Sequence, residues 1–114
     1  KELEARGAED LVTRETERFM EWWRNLAVLP TVIALRGKAE RIRENELNKT
    51  LKRLNGELTP EEVASLDAMT RAIVNKLLHN PTVYLKGRPA SGDLRVAREI
   101  FRLSEEEIQR ASES

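Results

Sequence analysis

The chain has no cysteine. Disulfides, thiolate metal centres and a cysteine nucleophile are therefore excluded within its 114 residues. There is one histidine, His79, so a zinc site has no second imidazole to draw on. His79 falls at the expected end of a helix, where a cation suits the helix dipole, and it reads as structural. The five glycines are isolated, and no phosphate-cradling loop is formed by any of them. No apolar run approaches the roughly 20 residues of a membrane-spanning helix. A charge excess is also missing: 20 Lys and Arg balance 20 Asp and Glu. That balance argues against a nucleic-acid binder, which usually carries a basic surplus. The acidic runs Glu61-Glu62 and Glu105-Glu106-Glu107 lie at a helix start and in a polar tail, with no dry pocket to separate two carboxyl pKa values.

What is present is helical. Charged residues make up 35% and hydrophobic ones 39%, a balance suited to a folded helical domain with a charged exterior. Aromatic residues are only 4%, yet three of the five are Phe19, Trp22 and Trp23. With Leu26 they follow i, i+3, i+4, i+7 spacing and share one helical face, which must be buried in a core or a partner. Adjacent Trp22 and Trp23 point about 100° apart, so covering both calls for neighbours on two sides. A second copy of the chain supplies the other side, and tryptophan is a frequent interface anchor.

Read in order, residues 1–29 form one helix ended by Pro30, which lacks an N–H and crowds the preceding turn. This helix is thin in apolar residues near its start and reads as the tail of a longer helix from an upstream domain. Thr31 is the expected N-cap of a second helix through Leu54, with Val32, Leu35, Ala39, Ile42, Leu47, Leu51 and Leu54 inward. Gly37 permits a close approach or marks a bend. Gly56 is the expected left-handed stop. Thr59-Pro60-Glu61-Glu62 is a capping box opening a third helix to Leu78, with Val63, Leu66, Met69, Thr70, Ile73, Val74, Leu77 and Leu78 inward. Asn80-Pro81 closes it. Residues 84–93 read as a loop, Asp93 as the cap of a fourth helix, and residues 104–114 as a polar, fraying tail. The fold class is all-α: a bundle of three long helices and a shorter C-terminal one in a single domain, completed by a second subunit. Phe19, Trp22, Trp23, Leu26, Ile33, Leu77 and Leu78 are the candidate interface and core residues, and spacing alone does not sort one role from the other.

Segment 36–53 carries seven basic residues, Arg36, Lys38, Arg41, Arg43, Lys49, Lys52 and Arg53, against Glu40, Glu44 and Glu46. Two readings are open: a phosphate-contacting face for RNA, or a solvated face with intrahelical ion pairs. Overall neutrality favours the second.

Two stretches are similar to a known family. Residues 18–47 and 71–86 resemble the C-terminal dimerisation domain of glutamyl-tRNA reductase. The resemblance rests on Phe19 and Trp22; on Pro30, Thr31, Leu35 and Arg36; on Arg43, Glu46 and Leu47; and most specifically on Asn75, Lys76, Leu77, Leu78, His79, Pro81 and Thr82. It implies a homodimerisation module of an enzyme that reduces glutamyl-tRNA with NADPH to glutamate-1-semialdehyde, in tetrapyrrole synthesis, through a cysteine thioester in another domain. Residues 1–29 would then end a long inter-domain helix. No catalytic, cofactor-binding or metal-binding residue carries over to this chain, since cysteine and a dinucleotide fingerprint are both missing. The implied location is the cytoplasm, or the plastid stroma in a plant or alga. The alternative reading is a helical module that uses the basic face of 36–53 to contact RNA or to dock a regulatory protein, and the resemblance leaves a tRNA or regulator contact open in the whole enzyme.

Overall fold

The computed structural model describes residues 2–87 and 92–113, with the side chains of 2–10, 20, 21 and 23–25 outside that description. Four helices account for nearly all of it: α1 (Glu2–Arg53), α2 (Pro60–Lys86), α3 (Asp93–Ile100) and α4 (Glu105–Glu113). No strand occurs among the described residues. The all-α class is as expected, but there are two long helices and two short ones. A helix of 52 residues is about 78 Å long. Accordingly the molecule measures 81 × 27 × 22 Å. Its radius of gyration is 21.1 Å, against about 13 Å for a compact chain of this length, so it is a rod with a body at one end.

The body forms where α2, α3 and α4 pack on the second half of α1. Its core is Val28, Val32, Ala34 and Leu35 of α1, Leu78 and Leu85 of α2, Leu94, Leu103 and Ala111. Every described side chain from Leu11 to Leu26 is exposed. The first half of α1 is thus an arm standing clear of the body.

Three expected boundaries are corrected. Pro30 does not end a helix, and Thr31 does not cap one: both lie buried inside α1. Thr31 Oγ1 instead donates to the Ala27 carbonyl at 2.9 Å. A proline inside a helix costs about 3 kcal/mol. Here burial of Val28, Thr31, Val32 and Leu35 in one body holds the helix on course through it. Pro81 likewise lies within α2, whose buried Leu78, Thr82 and Leu85 carry the helix across it to Lys86. The tail 104–114 does not read as frayed. Ser104 and Glu107 cap α4 reciprocally: the Glu107 N–H donates to Ser104 Oγ at 3.0 Å, and the Ser104 N–H to Glu107 Oε1 at 3.2 Å. Ala111 of α4 is buried in the core.

Other local signals hold. Thr59 and Glu62 form the capping box of α2, with both bonds present. Gly56 has φ +76°, the left-handed stop after α1. Asp93 starts α3 but does not cap it. Gly92, at φ +89°, takes that place, and the Asp93 carboxylate accepts a hydrogen bond from the Tyr84 hydroxyl. Gly37 faces nothing closer than Arg41 Nη1, 3.5 Å from where a Cβ would stand, so no close helix contact requires it.

A candidate self-association surface

The arm of α1 places Phe19, Trp22, Leu26, Leu29 and Ile33 on its surface, 43–58% exposed. Their steps are 3, 4, 3 and 4, the a/d spacing of a coiled-coil seam. The Phe19 and Trp22 rings lie 5.8 Å apart between centroids, tilted by 36°, as one aromatic unit. Val28, Thr31, Val32 and Leu35 face the body instead. One helix therefore has two apolar faces, one covered and one bare. The Trp23 side chain lies outside the described residues.

On α2 the inward register is narrower than expected. Leu78, Thr82 and Leu85 are buried, with Val74 packed beside them. Met69, Ile73 and Leu77, read above as inward, are 50–71% exposed. At i, i+4, i+8 they form a second bare stripe. The cause is geometric. Seven apolar positions and Thr70 cover more than the one face that α1 can occupy, so the surplus turns to solvent. Of the seven candidate residues, Leu78 is in the core, and Phe19, Trp22, Leu26, Ile33 and Leu77 are exposed.

Polar chemistry is concentrated between α1 and α2. The α1 position that follows Leu35 and Ala39 inward is Arg43 and not Ile42, which is 55% exposed. The Arg43 side chain is only 2% exposed. It grips both carboxylate oxygens of Glu40. It also donates to Asp67 Oδ1 at 2.9 Å and Thr70 Oγ1 at 3.2 Å. Its guanidinium pKa is raised by the Glu40 hydrogen bonds. Glu40 is pulled below the usual carboxylate range by its bond to Arg43. Asp67 is pulled down by Arg71, 2.8 Å away, and then by Arg43. The Glu107 carboxyl is lowered by the Ser104 N–H first, with Lys38 and Arg41 adding to it.

The basic segment 36–53 is largely spoken for. Arg36 donates to Asn75 Oδ1, Lys38 to the Arg102 carbonyl, Arg41 to Glu107 and Lys49 to Glu46. These contacts favour the solvated, ion-paired reading of that face over a row of cations waiting for phosphate. His79 is exposed on α2, away from any helix end. Among the described residues no group of three or more His, Asp or Glu converges as metal ligands would. No helix among them is long and apolar enough to cross a membrane.

The missed members of the bare faces are Leu29, Met69 and Ile73. The 3-4 spacing through Leu29 to Ile33 is present in the sequence, but the helix break expected at Pro30 would cut that seam in two, and α1 runs through it unbroken.

The sequence profile of the glutamyl-tRNA reductase dimerisation domain matches residues 7–103. The chain belongs to this family. A glutamyl-tRNA reductase of Synechococcus sp. (strain JA-3-3Ab) is 43% identical over 102 residues, covering 90% of this chain and 23% of the relative. Those of Herpetosiphon aurantiacus and Thermodesulfovibrio yellowstonii are 46% identical over 109 residues and 38% identical over 106. The chain thus spans about a quarter of the length of the curated relatives it matches. No solved structure matches it. For a dimerisation domain of glutamyl-tRNA reductase, bare apolar faces on an otherwise charged rod are the chemically relevant feature.

Proposed function

We propose that the chain joins two copies of a glutamyl-tRNA reductase through the bare face of α1, with Phe19, Trp22, Trp23, Leu26 and Ile33 as its core and Leu77 of α2 at a second contact. The observation that carries this reading is the exposed 3-4 seam from Phe19 to Ile33, which runs from the arm, where every described side chain is exposed, onto the body. A two-fold pairing places the same seam on both partners and removes it from water. The parent enzyme, on this reading, reduces glutamyl-tRNA to glutamate-1-semialdehyde with NADPH, for tetrapyrrole synthesis. Its active site and cofactor lie in other domains, and it works in the cytoplasm or, in a plant or alga, the plastid stroma. The role of this chain is to set the separation of two catalytic units.

Sedimentation equilibrium over a wide concentration range tests the pairing. A dimer persisting into the low micromolar range supports it. Trp22→Ala should weaken self-association by at least about tenfold, as expected for a central aromatic anchor. A helical chain that stays monomeric at every concentration, or a Trp22→Ala chain that pairs as tightly as the parent, would sink it.

A further inference from the structure

The turn of α1 around Pro30 is where the arm leaves the body, and three features meet there. Pro30 lacks the N–H that would bond to Leu26, and its ring crowds the preceding turn. Thr31 Oγ1 back-bonds to the Ala27 carbonyl at 2.9 Å, an interaction that itself bends helices. Arg98 of α3 reaches across to the same turn. Its Nε donates to Thr31 Oγ1 at 3.0 Å and its Nη2 to the Ala27 carbonyl at 3.3 Å. Thr31 is fully buried and Arg98 half-buried, so the fork is partly withdrawn from water at its acceptor end. Proline, back-bonded threonine and an inserted side chain are each recognised causes of helix bending. Here they share one turn.

We propose that Arg98 is a positioning residue that latches this turn, so that the docking of α3 fixes the direction of the α1 arm. The element bearing the latch is small. α3 has eight residues and buries Leu94 as its anchor. It ends in a turn in which Arg102 takes φ +50° and the Leu103 N–H bonds back to the Arg98 carbonyl at 2.9 Å. Lys38 of α1 then donates to the Arg102 carbonyl at 2.7 Å. The short connection after α3 is therefore held at its start, through the Arg98 carbonyl, and near its end, through the Arg102 carbonyl. With the latch closed the Ala27 carbonyl has two side-chain donors. With α3 displaced it keeps only Thr31, and the proline turn is free to bend.

Amide hydrogen exchange on the 114-residue chain separates this latch from a general stabilising contact. Arg98→Ala should speed exchange at the amides of residues 28, 29 and 31–34 by about tenfold, the loss expected for a half-buried charge-assisted hydrogen bond, while residues 63–74 of α2 keep their parental rates. Arg98→Lys should recover part of the protection, since an ammonium cannot span both acceptors as a fork does. In a Pro30→Ala background, where the turn regains its N–H, the effect of Arg98→Ala should shrink to less than about twofold. If Arg98→Ala does not fold, Thr31→Val removes the shared hydroxyl at nearly constant shape and should give the same local acceleration. Spin labels at Arg18→Cys and Gln109→Cys, diluted with unlabelled chain, should report a wider distance distribution in Arg98→Ala. Equal acceleration in α1 and α2, an effect that ignores Pro30→Ala, or an unchanged distance distribution would each overturn the latch.

Discussion

Arg43 of α1 and Asp67 of α2 meet at 2.9 Å in the seam between the two long helices, with the arginine side chain almost fully enclosed. Glu40 accepts from its Nε and Nη2 and Thr70 from its Nη1, so each nitrogen of the buried cation has a hydrogen-bond partner. Only the arginine is enclosed, the Asp67 and Glu40 side chains being 37% and 42% exposed, so losing a carboxylate strands a buried cation, and losing Arg43 removes both its bonds and its packing between the helices.

Arg43→Ala should therefore lower Tm more than Arg41→Ala does. The Arg41 side chain is about half exposed in its bond to Glu107, and surface pairs contribute little. A double-mutant cycle of Arg43→Ala with Asp67→Ala should show strong non-additivity. Thermal melts followed by circular dichroism decide it, and equal losses for Arg41→Ala and Arg43→Ala would refute the ranking.

Acid should weaken the fold in one direction only. Glu40, Asp67 and Glu107 all have folded pKa values lowered by their donors. Groups with depressed values contribute stability that is present above their unfolded pKa and is lost as pH falls through the folded one. Tm should stay flat from neutral pH to about 5 and fall below about 4, near the unfolded carboxyl values. Asp67→Asn should flatten the acid limb. A stability loss centred between pH 5 and 7 would contradict this.

Core and seam should give different signatures. Leu78→Ala removes a buried side chain and should cost about 2–5 kcal/mol in unfolding free energy. Ile33→Ala, at an exposed seam position, should leave helicity at high concentration unchanged and move the self-association midpoint upward. Concentration-dependent melts of both variants test this. If Ile33→Ala loses stability independently of concentration, Ile33 belongs to the fold of one chain.

Thr82 carries a buried hydroxyl with no hydrogen-bond partner among the described residues. Thr82→Val keeps the branched shape and removes an oxygen that gains nothing from burial. Tm should be unchanged or higher. A drop of several degrees would mean that the hydroxyl is paired in solution.

The local signals of the sequence were largely sufficient for elements and poor for boundaries. Thr59 and Glu62 announced α2 because a capping box depends on neighbours three residues apart. Ser104 and Glu107 carry the same spacing, yet their polar surroundings read as a tail; burial of Ala111 against α1, a long-range contact, is what makes that helix worthwhile. Pro30 and Pro81 misled for the same reason. Their local penalty is real, and tertiary packing on both sides of each exceeds it. Arg43 was hidden because an arginine in an apolar register looks like a surface residue until Asp67 is placed opposite it. The seam residues were visible individually, but their continuity through Leu29 was visible only once α1 proved unbroken.

The unbroken course of α1 also has a mechanical consequence. From Pro30 to the start of the helix at Glu2 the arm extends about 42 Å at the standard helical rise. A rotation of about 10° at that turn sweeps the far end through about 7 Å, by the same geometry. Leverage of that size converts a side-chain rearrangement at Arg98 into a displacement as large as a small molecule, without any helix having to melt.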